Sequence, residues 1–129
     1  MSREAQTVKK LVAVIALLCV AYTALAANAP EVSSPKNGDR IGPNVFVTCK
    51  TEGKQFVIII TDVYVKGQLV GSVPGIRHWT ADDGSLTARI ATPRVYNAPK
   101  AETSYKIRVF TQRPDSEKSP ETVVRCYPE

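Results

Sequence analysis

The sequence predicts an all-β protein: one β-sandwich of about seven strands, preceded by an N-terminal signal peptide. Three observations predict it. Short segments in which apolar and polar residues alternate recur along most of the chain. Clusters of Pro, Gly, Asn and Asp separate those segments at short intervals, and little past the N-terminus favours a long helix. The first 26 residues have a basic start, an apolar middle and a small-residue end.

The export signal comes first in the chain. Arg3, Lys9 and Lys10 precede an uncharged, wholly apolar run at residues 11–21, and the segment closes on Ala24-Leu25-Ala26. Small residues at the first and third positions before the cut fit the narrow pockets of signal peptidase. An uncleaved anchor is the alternative, but a spanning helix takes about 20 apolar residues, and residues 11–26 supply 16 that include a Thr and a Tyr. Lipidation at Cys19 is a third reading; Leu18 stands where a lipoprotein signal carries Gly, Ala or Ser. A secreted, periplasmic or extracellular location is therefore expected, with membrane association only through an uncleaved or lipidated N-terminus.

Cleavage after Ala26 leaves residues 27–129, and 129 − 26 = 103 residues suit a single domain. At this size only about two thirds of the unfolded surface leaves water, so a covalent staple would help. Of the net charge of +5, Arg3, Lys9, Lys10 and Glu4 contribute +2, which leaves 5 − 2 = +3 for the rest. With no basic run, and no basic stripe interleaved with aromatics, no nucleic-acid partner is expected.

The strands follow in order. Residues 27–31 read as a loose tail and 32–34 as a short edge strand, ended by the Pro35-Lys36-Asn37-Gly38 turn. In 44–51, Val45, Val47 and Cys49 point one way while Phe46, Thr48 and Lys50 point the other. Residues 55–66 hold the longest apolar run, FVIIITDVYV, whose β-branched content argues for a central strand. Lys66-Gly67-Gln68 turns it into 69–73, making a hairpin. Residues 74–84 read as a loop that holds the single His and the single Trp. Segment 85–92 sets Leu86, Ala88 and Ile90 on one face, and 93–103 is irregular. In 104–112, Tyr105, Ile107 and Val109 share a face opposite Lys106 and Arg108; in 122–127, Val124 and Cys126 share one.

With Cys19 removed, Cys49 and Cys126 remain. An even pair in an oxidising compartment predicts a disulfide, and both members fall on core-facing positions of their strands. Inward-facing cysteines of two sheets about 10 Å apart can bond if they face each other. The closed loop of 126 − 49 = 77 residues corresponds to about 4.5 kcal/mol in the chain-entropy description. Two buried free thiols are the alternative.

Ala101-Glu102-Thr103-Ser104-Tyr105-Lys106-Ile107-Arg108-Val109 resembles the F strand of fibronectin type III and related bacterial immunoglobulin-like domains, where a Tyr opens the strand and forms a tyrosine corner. Ser34-Pro35-Lys36-Asn37-Gly38 and Val63-Tyr64-Val65-Lys66-Gly67 are similar to the opening and the central strand of the bacterial modules. The resemblance covers most of residues 27–129 and implies a sandwich appended to or acting with an exported protein. Segment 55–66 lacks the core Trp of antibody domains, and the second Cys falls on the last strand rather than the one before it.

No residue constellation points to catalysis. His78 is the sole candidate base, and its neighbours Arg77, Trp79, Asp82 and Asp83 share one loop with it, so no enzyme is expected. Asp82-Asp83-Gly84-Ser85 lacks the alternating oxygen ligands and the terminal Glu of a calcium loop and reads as a turn; no metal or cofactor is expected. Arg77, His78 and Trp79 are the candidate binding residues. A lone Trp in a small domain is more often a core plug; on a loop at the edge of a rigid sandwich it could instead anchor a partner or stack on a sugar. The expected function is a non-catalytic module for protein interaction or structural support, with an extracytoplasmic protein as partner. The alternative is a polysaccharide-binding module with Trp79 as its platform.

Overall fold

The computed structural model describes residues 28–75, 77–95, 97–113 and 117–129; the export signal at 1–26 lies outside them. Nine strands form: β1 (Glu31–Ser34), β2 (Arg40–Ile41), β3 (Asn44–Lys50), β4 (Phe56–Val65), β5 (Gln68–Val73), β6 (Arg77–Trp79), β7 (Ser85–Ala91), β8 (Thr103–Thr111) and β9 (Thr122–Pro128). A single 3-10 turn, Lys100–Glu102, leads into β8.

Two sheets result. The smaller has the order β1-β3-β7, and the larger β2-β9-β8-β4-β5, with β6 also paired to β4. The alternation read from the sequence explains why they stack. Val45, Val47 and Cys49 of β3 and Ala88 of β7 are buried on one side, and Val57, Ile59 and Val63 of β4, Tyr105, Ile107 and Val109 of β8, and Val124 and Cys126 of β9 are buried on the other. These residues form one continuous core with Ile41. Apolar inner faces on both layers leave only one arrangement that removes them from water together, the sandwich. β5 follows its hairpin partner into the larger sheet instead of crossing to the smaller one, as the fourth strand of constant-type immunoglobulin domains does.

The hairpin turn is the expected one. Lys66 and Gly67 both have positive φ, 53° and 76°, between the paired residues Val65 and Gln68. Two left-handed residues in a two-residue connection match the right-handed twist of the strands.

Three expectations need correction. Among the described residues the strands number nine, β2 and β6 adding to the seven expected; at two and three residues neither is long enough to show a period. The 74–84 segment is accordingly no simple loop, since β6 pairs with the first half of β4. The expected Cys49–Cys126 disulfide is not formed: both cysteines are buried free thiols. Cys49 belongs to the smaller sheet and Cys126 to the larger, and an inward direction on each does not by itself bring two sulfurs opposite one another across the core. Burial pushes both thiols up, Cys126 to about 11 with the charge of Asp39 adding to the effect.

Candidate functional site

β5 and β6 run along the same edge of β4. β5 pairs with Thr61 to Val65, β6 with Phe56 to Ile58, and Pro74 and Gly75 lie between them. Gly75 is required there: a Cβ would stand 2.5 Å from the Ile59 carbonyl oxygen and 2.8 Å from Ile58 Cγ2. The backbone therefore passes tightly over β4 before it re-enters the sheet as Arg77-His78-Trp79. Thr80 locks that re-entry, donating its amide to the Gln55 carbonyl at 3.0 Å while its hydroxyl accepts the Gln55 amide at 2.9 Å.

Register decides where the three candidate binding residues point. Trp79 is opposite Phe56 and Arg77 opposite Ile58, both on the outer side of β4, whereas His78 is opposite the core residue Val57. The structure thus brings Arg77 and Trp79 to one exposed face and turns the half-buried His78 away from them. Trp79 is not a core plug: 55% of its surface is exposed. Its ring centroid is 3.4 Å from that of Phe56 at 34°, and Lys54 Nζ stands 5.2 Å from the indole centroid. A ring in contact with a strand residue on one side is rigid, and an ammonium over it exploits the negative ring face.

The indole opens onto a cleft of about 310 Å³ lined by Glu52, Lys54, Gln55, Phe56, Gln112 and Arg113. Gln55 donates from Nε2 to the Glu52 carbonyl at 2.9 Å, and its Oε1 is buried without a partner. An unsatisfied buried acceptor is uncommon and leaves this amide able to receive one more donor. Lys54, Phe56, Gln112 and Arg113 are not singled out by any motif, and alternation within 55–66 is the one signal that sends Phe56 outward.

Further along the same outer face the larger sheet carries an ion cluster built on one buried carboxylate. Asp62, only 4% exposed, accepts from Arg108 Nε at 2.8 Å and from the Ser72 hydroxyl at 2.5 Å, while Arg108 Nη1 donates to Glu121 at 3.1 Å. Desolvation opposes the guanidinium charge, but hydrogen bonding and charge from Asp62, with Glu121, outweigh it and hold Arg108 above its usual value. Beside this cluster, Ile58 and Phe110 are register partners and are both buried on the outer face, apart from the main core.

At the 82–85 turn, Asp83 Oδ1 accepts the Ser85 hydroxyl at 2.6 Å and its amide at 3.0 Å, which hold the carboxylate below its usual value. Among the described residues no group of three or more His, Cys, Asp or Glu could hold a metal ion. Among them, too, no helix is long and apolar enough to cross a membrane.

No protein-family model matches the chain, and no curated protein matches it. Solved structures are similar to it, two of them as follows. A structure of the fibronectin(III)-like modules of Clostridium thermocellum CbhA gives a TM-score of 0.44 at 14% identity, over 78% of this chain and 95% of that one. An engineered protein gives 0.44 at 16% identity over 78% of this chain, which spans 20% of that one. The two-layer order of β1-β3-β7 against β9-β8-β4-β5 is itself that of an immunoglobulin-like, fibronectin type III-like sandwich.

Proposed function

We propose that the protein is an exported, non-catalytic module that holds a protein partner outside the cytoplasm through the outer face of its larger sheet. The observation that carries this reading is Trp79: an indole fixed by strand pairing, braced by Phe56 and yet 55% exposed. Keeping a large apolar ring in water is costly, and an aromatic with Arg77 on its own face and Lys54 and Arg113 at the cleft has the composition of an interface hot spot. Export is supported by the arrangement of residues 1–26. The test is retention of a protein from the organism's exported fraction by the immobilised protein. One species held by the wild type and released by Trp79→Ala is expected, and identical retention by both would refute the role of Trp79.

A second reading is favoured by the company Trp79 keeps. Phe56 and the amides of Gln55 and Gln112 supply a second aromatic and hydrogen-bonding groups beside an exposed indole, the combination that sugar stacking needs. Tryptophan fluorescence separates the two readings, because no other Trp is present. A neutral polysaccharide that shifts the emission and shields it from acrylamide would favour the sugar, and an unchanged spectrum would remove it.

A further inference from the structure

On the outer face of the larger sheet, at the end of β4 remote from Trp79, two cations stand side by side. Lys106 of β8 and Arg125 of β9 are direct register partners and both point away from the core, since their neighbours Tyr105, Ile107, Val124 and Cys126 are the buried ones. Directly opposed residues have Cβ atoms about 5 Å apart, and like charges in that relation repel. Among the described residues no carboxylate pairs with either cation. Asp62 is the register partner of Lys106 on its other side, but both its oxygens are taken by Arg108 and Ser72. The other nearby carboxylates are also engaged: Glu121 with Arg108, Glu102 with Lys66 at 3.8 Å, and Asp39 with the Lys36 amide. Among the described residues, neither Lys106 nor Arg125 belongs to an ion pair.

The surroundings indicate what would settle there. Lys106 and Arg125 line two shallow depressions of about 140 and about 550 Å³, the first completed by Tyr64 and Ser104, the second by Asn37, Val123 and Tyr127. Lys106 Nζ lies 5.5 Å from the Tyr64 ring centroid. Leu69, the register partner of Tyr64, is 57% exposed, its neighbour Val70 53%, and Val123 and Tyr127 38% and 43%. Val123 and Tyr127 thus line the second depression beside both cations, while Leu69 and Val70 lie on β5, two strands from Lys106. Uncharged sugars have no use for the cations, and acidic sugars have none for the exposed Val123; a protein surface carrying carboxylates beside aliphatic groups uses both.

From this juxtaposition we infer that the Lys106–Arg125 pair, with Tyr64, Val123 and Tyr127 around it, is a docking site for an acidic, aliphatic-rich segment of a protein partner, whose carboxylates lie between the two cations. It rests on the reading of the protein as a protein-binding module, but not on Trp79. The Trp79–Phe56 cleft is roughly 20 Å away along β4, from the six residue steps between Phe56 and Asp62 at about 3.3 Å each.

The test uses the purified, 15N-labelled protein and a synthetic 15-residue peptide of glutamates with two leucines, titrated alongside polygalacturonate of equal charge. The expected result is that the peptide moves the amide signals of Tyr64, Lys106, Val123 and Arg125. Its binding should weaken on the order of fivefold or more in the Lys106→Gln/Arg125→Gln double variant, and by a similar factor when salt is raised from about 50 to 300 mM. Trp79→Ala should bind the peptide as the wild type does. Equal or tighter binding of polygalacturonate at those amides would overturn the inference in favour of an acidic glycan. So would a double variant that binds like the wild type, or shifts confined to residues around Trp79. The last outcome would leave the Trp79 reading standing, whereas loss of partner retention in Trp79→Ala with peptide binding intact would separate the two sites.

Discussion

Across the smaller sheet the outer side chains meet in matched pairs. The hydroxyls of Thr48 and Thr87 approach to 3.3 Å, Lys50 stands opposite Ser85 on one side and Glu31 on the other, and Phe46 faces the stem of Arg89. Across the larger sheet the corresponding row runs Ser72, Asp62, Lys106, Arg125, ending on two adjacent cations, and the face has an exposed indole near one end and Tyr127 near the other. Both sheets obey the same inward rule, so the core does not distinguish them. The difference lies in charge: no like charges face each other in the register of the smaller sheet, whereas the larger sets Lys106 against Arg125, and both leave apolar surface in water, Phe46 on one and Trp79 and Tyr127 on the other.

Phe110 on the larger face and Phe46 on the smaller give the strongest test of the contrast. Phe110 is 2% exposed on the outer side of the larger sheet, with Lys118 Nζ 4.8 Å from its ring centroid, whereas Phe46 is 60% exposed on the smaller. Phe110→Ala should cost about 3–5 kcal/mol in urea denaturation, and Phe46→Ala no more than about 0.5. Equal losses would mean that the two outer faces are covered alike.

Alkaline titration addresses the shared core instead. Burial raises the Cys126 thiol from 9.0 to about 11, so the folded state holds its proton more tightly than the unfolded chain. The stabilisation is complete below pH 9 and should fade between pH 9 and 11, by about 2–3 kcal/mol from this thiol. Tyr105 and Cys49, also raised by burial, act in the same sense. Cys126→Ala should flatten the decline, and neither native thiol should react with alkylating reagent at pH 8 until denaturant is added. Rapid labelling of the folded protein would contradict the burial.

Gly75→Ala probes the tight passage that sets β6 on the larger sheet. The added methyl meets the Ile59 carbonyl, and a loss of about 1–3 kcal/mol is expected, read as a lower urea midpoint. The smallest effect is of opposite sign. Removing one of two facing cations, as in Arg125→Gln, should raise stability by about 0.2–0.5 kcal/mol at low salt and by less at high salt. A comparable gain from Lys50→Gln on the smaller sheet, where the facing residues are Ser85 and Glu31, would erase the distinction between the faces.

The larger part of this fold is legible in single strands. Val45-Phe46-Val47 and Tyr105-Lys106-Ile107 announce their buried sides because a strand repeats every two residues, and β3, β4, β5, β7, β8 and β9 start and end within a residue or so of where alternation and turn residues place them. What escapes is relational. Trp79 is exposed because β6 meets β4 with Trp79 opposite Phe56, a register that three residues cannot announce. Lys106 and Arg125 each read as an ordinary solvent-facing cation, and only the pairing of β8 with β9 makes them neighbours. Ile58 and Phe110 are likewise concealed, since an outward apolar residue looks the same whether or not something covers it. Cys49 and Cys126 show the limit from the other side: alternation gave their direction correctly, yet a bond depends on alignment between layers, which alternation within a layer does not specify.

The broken edge of β4 has one more consequence. Strand edges are where sheet proteins join one another by accident, since a long free row of amide and carbonyl groups templates the next chain. Here the outermost strand is divided into pieces of six and three residues, with Pro74 and a sterically obligatory Gly75 between them. Along this edge a neighbouring molecule finds no straight rail to extend, so the detour that presents Trp79 also blunts this side of the larger sheet against strand pairing.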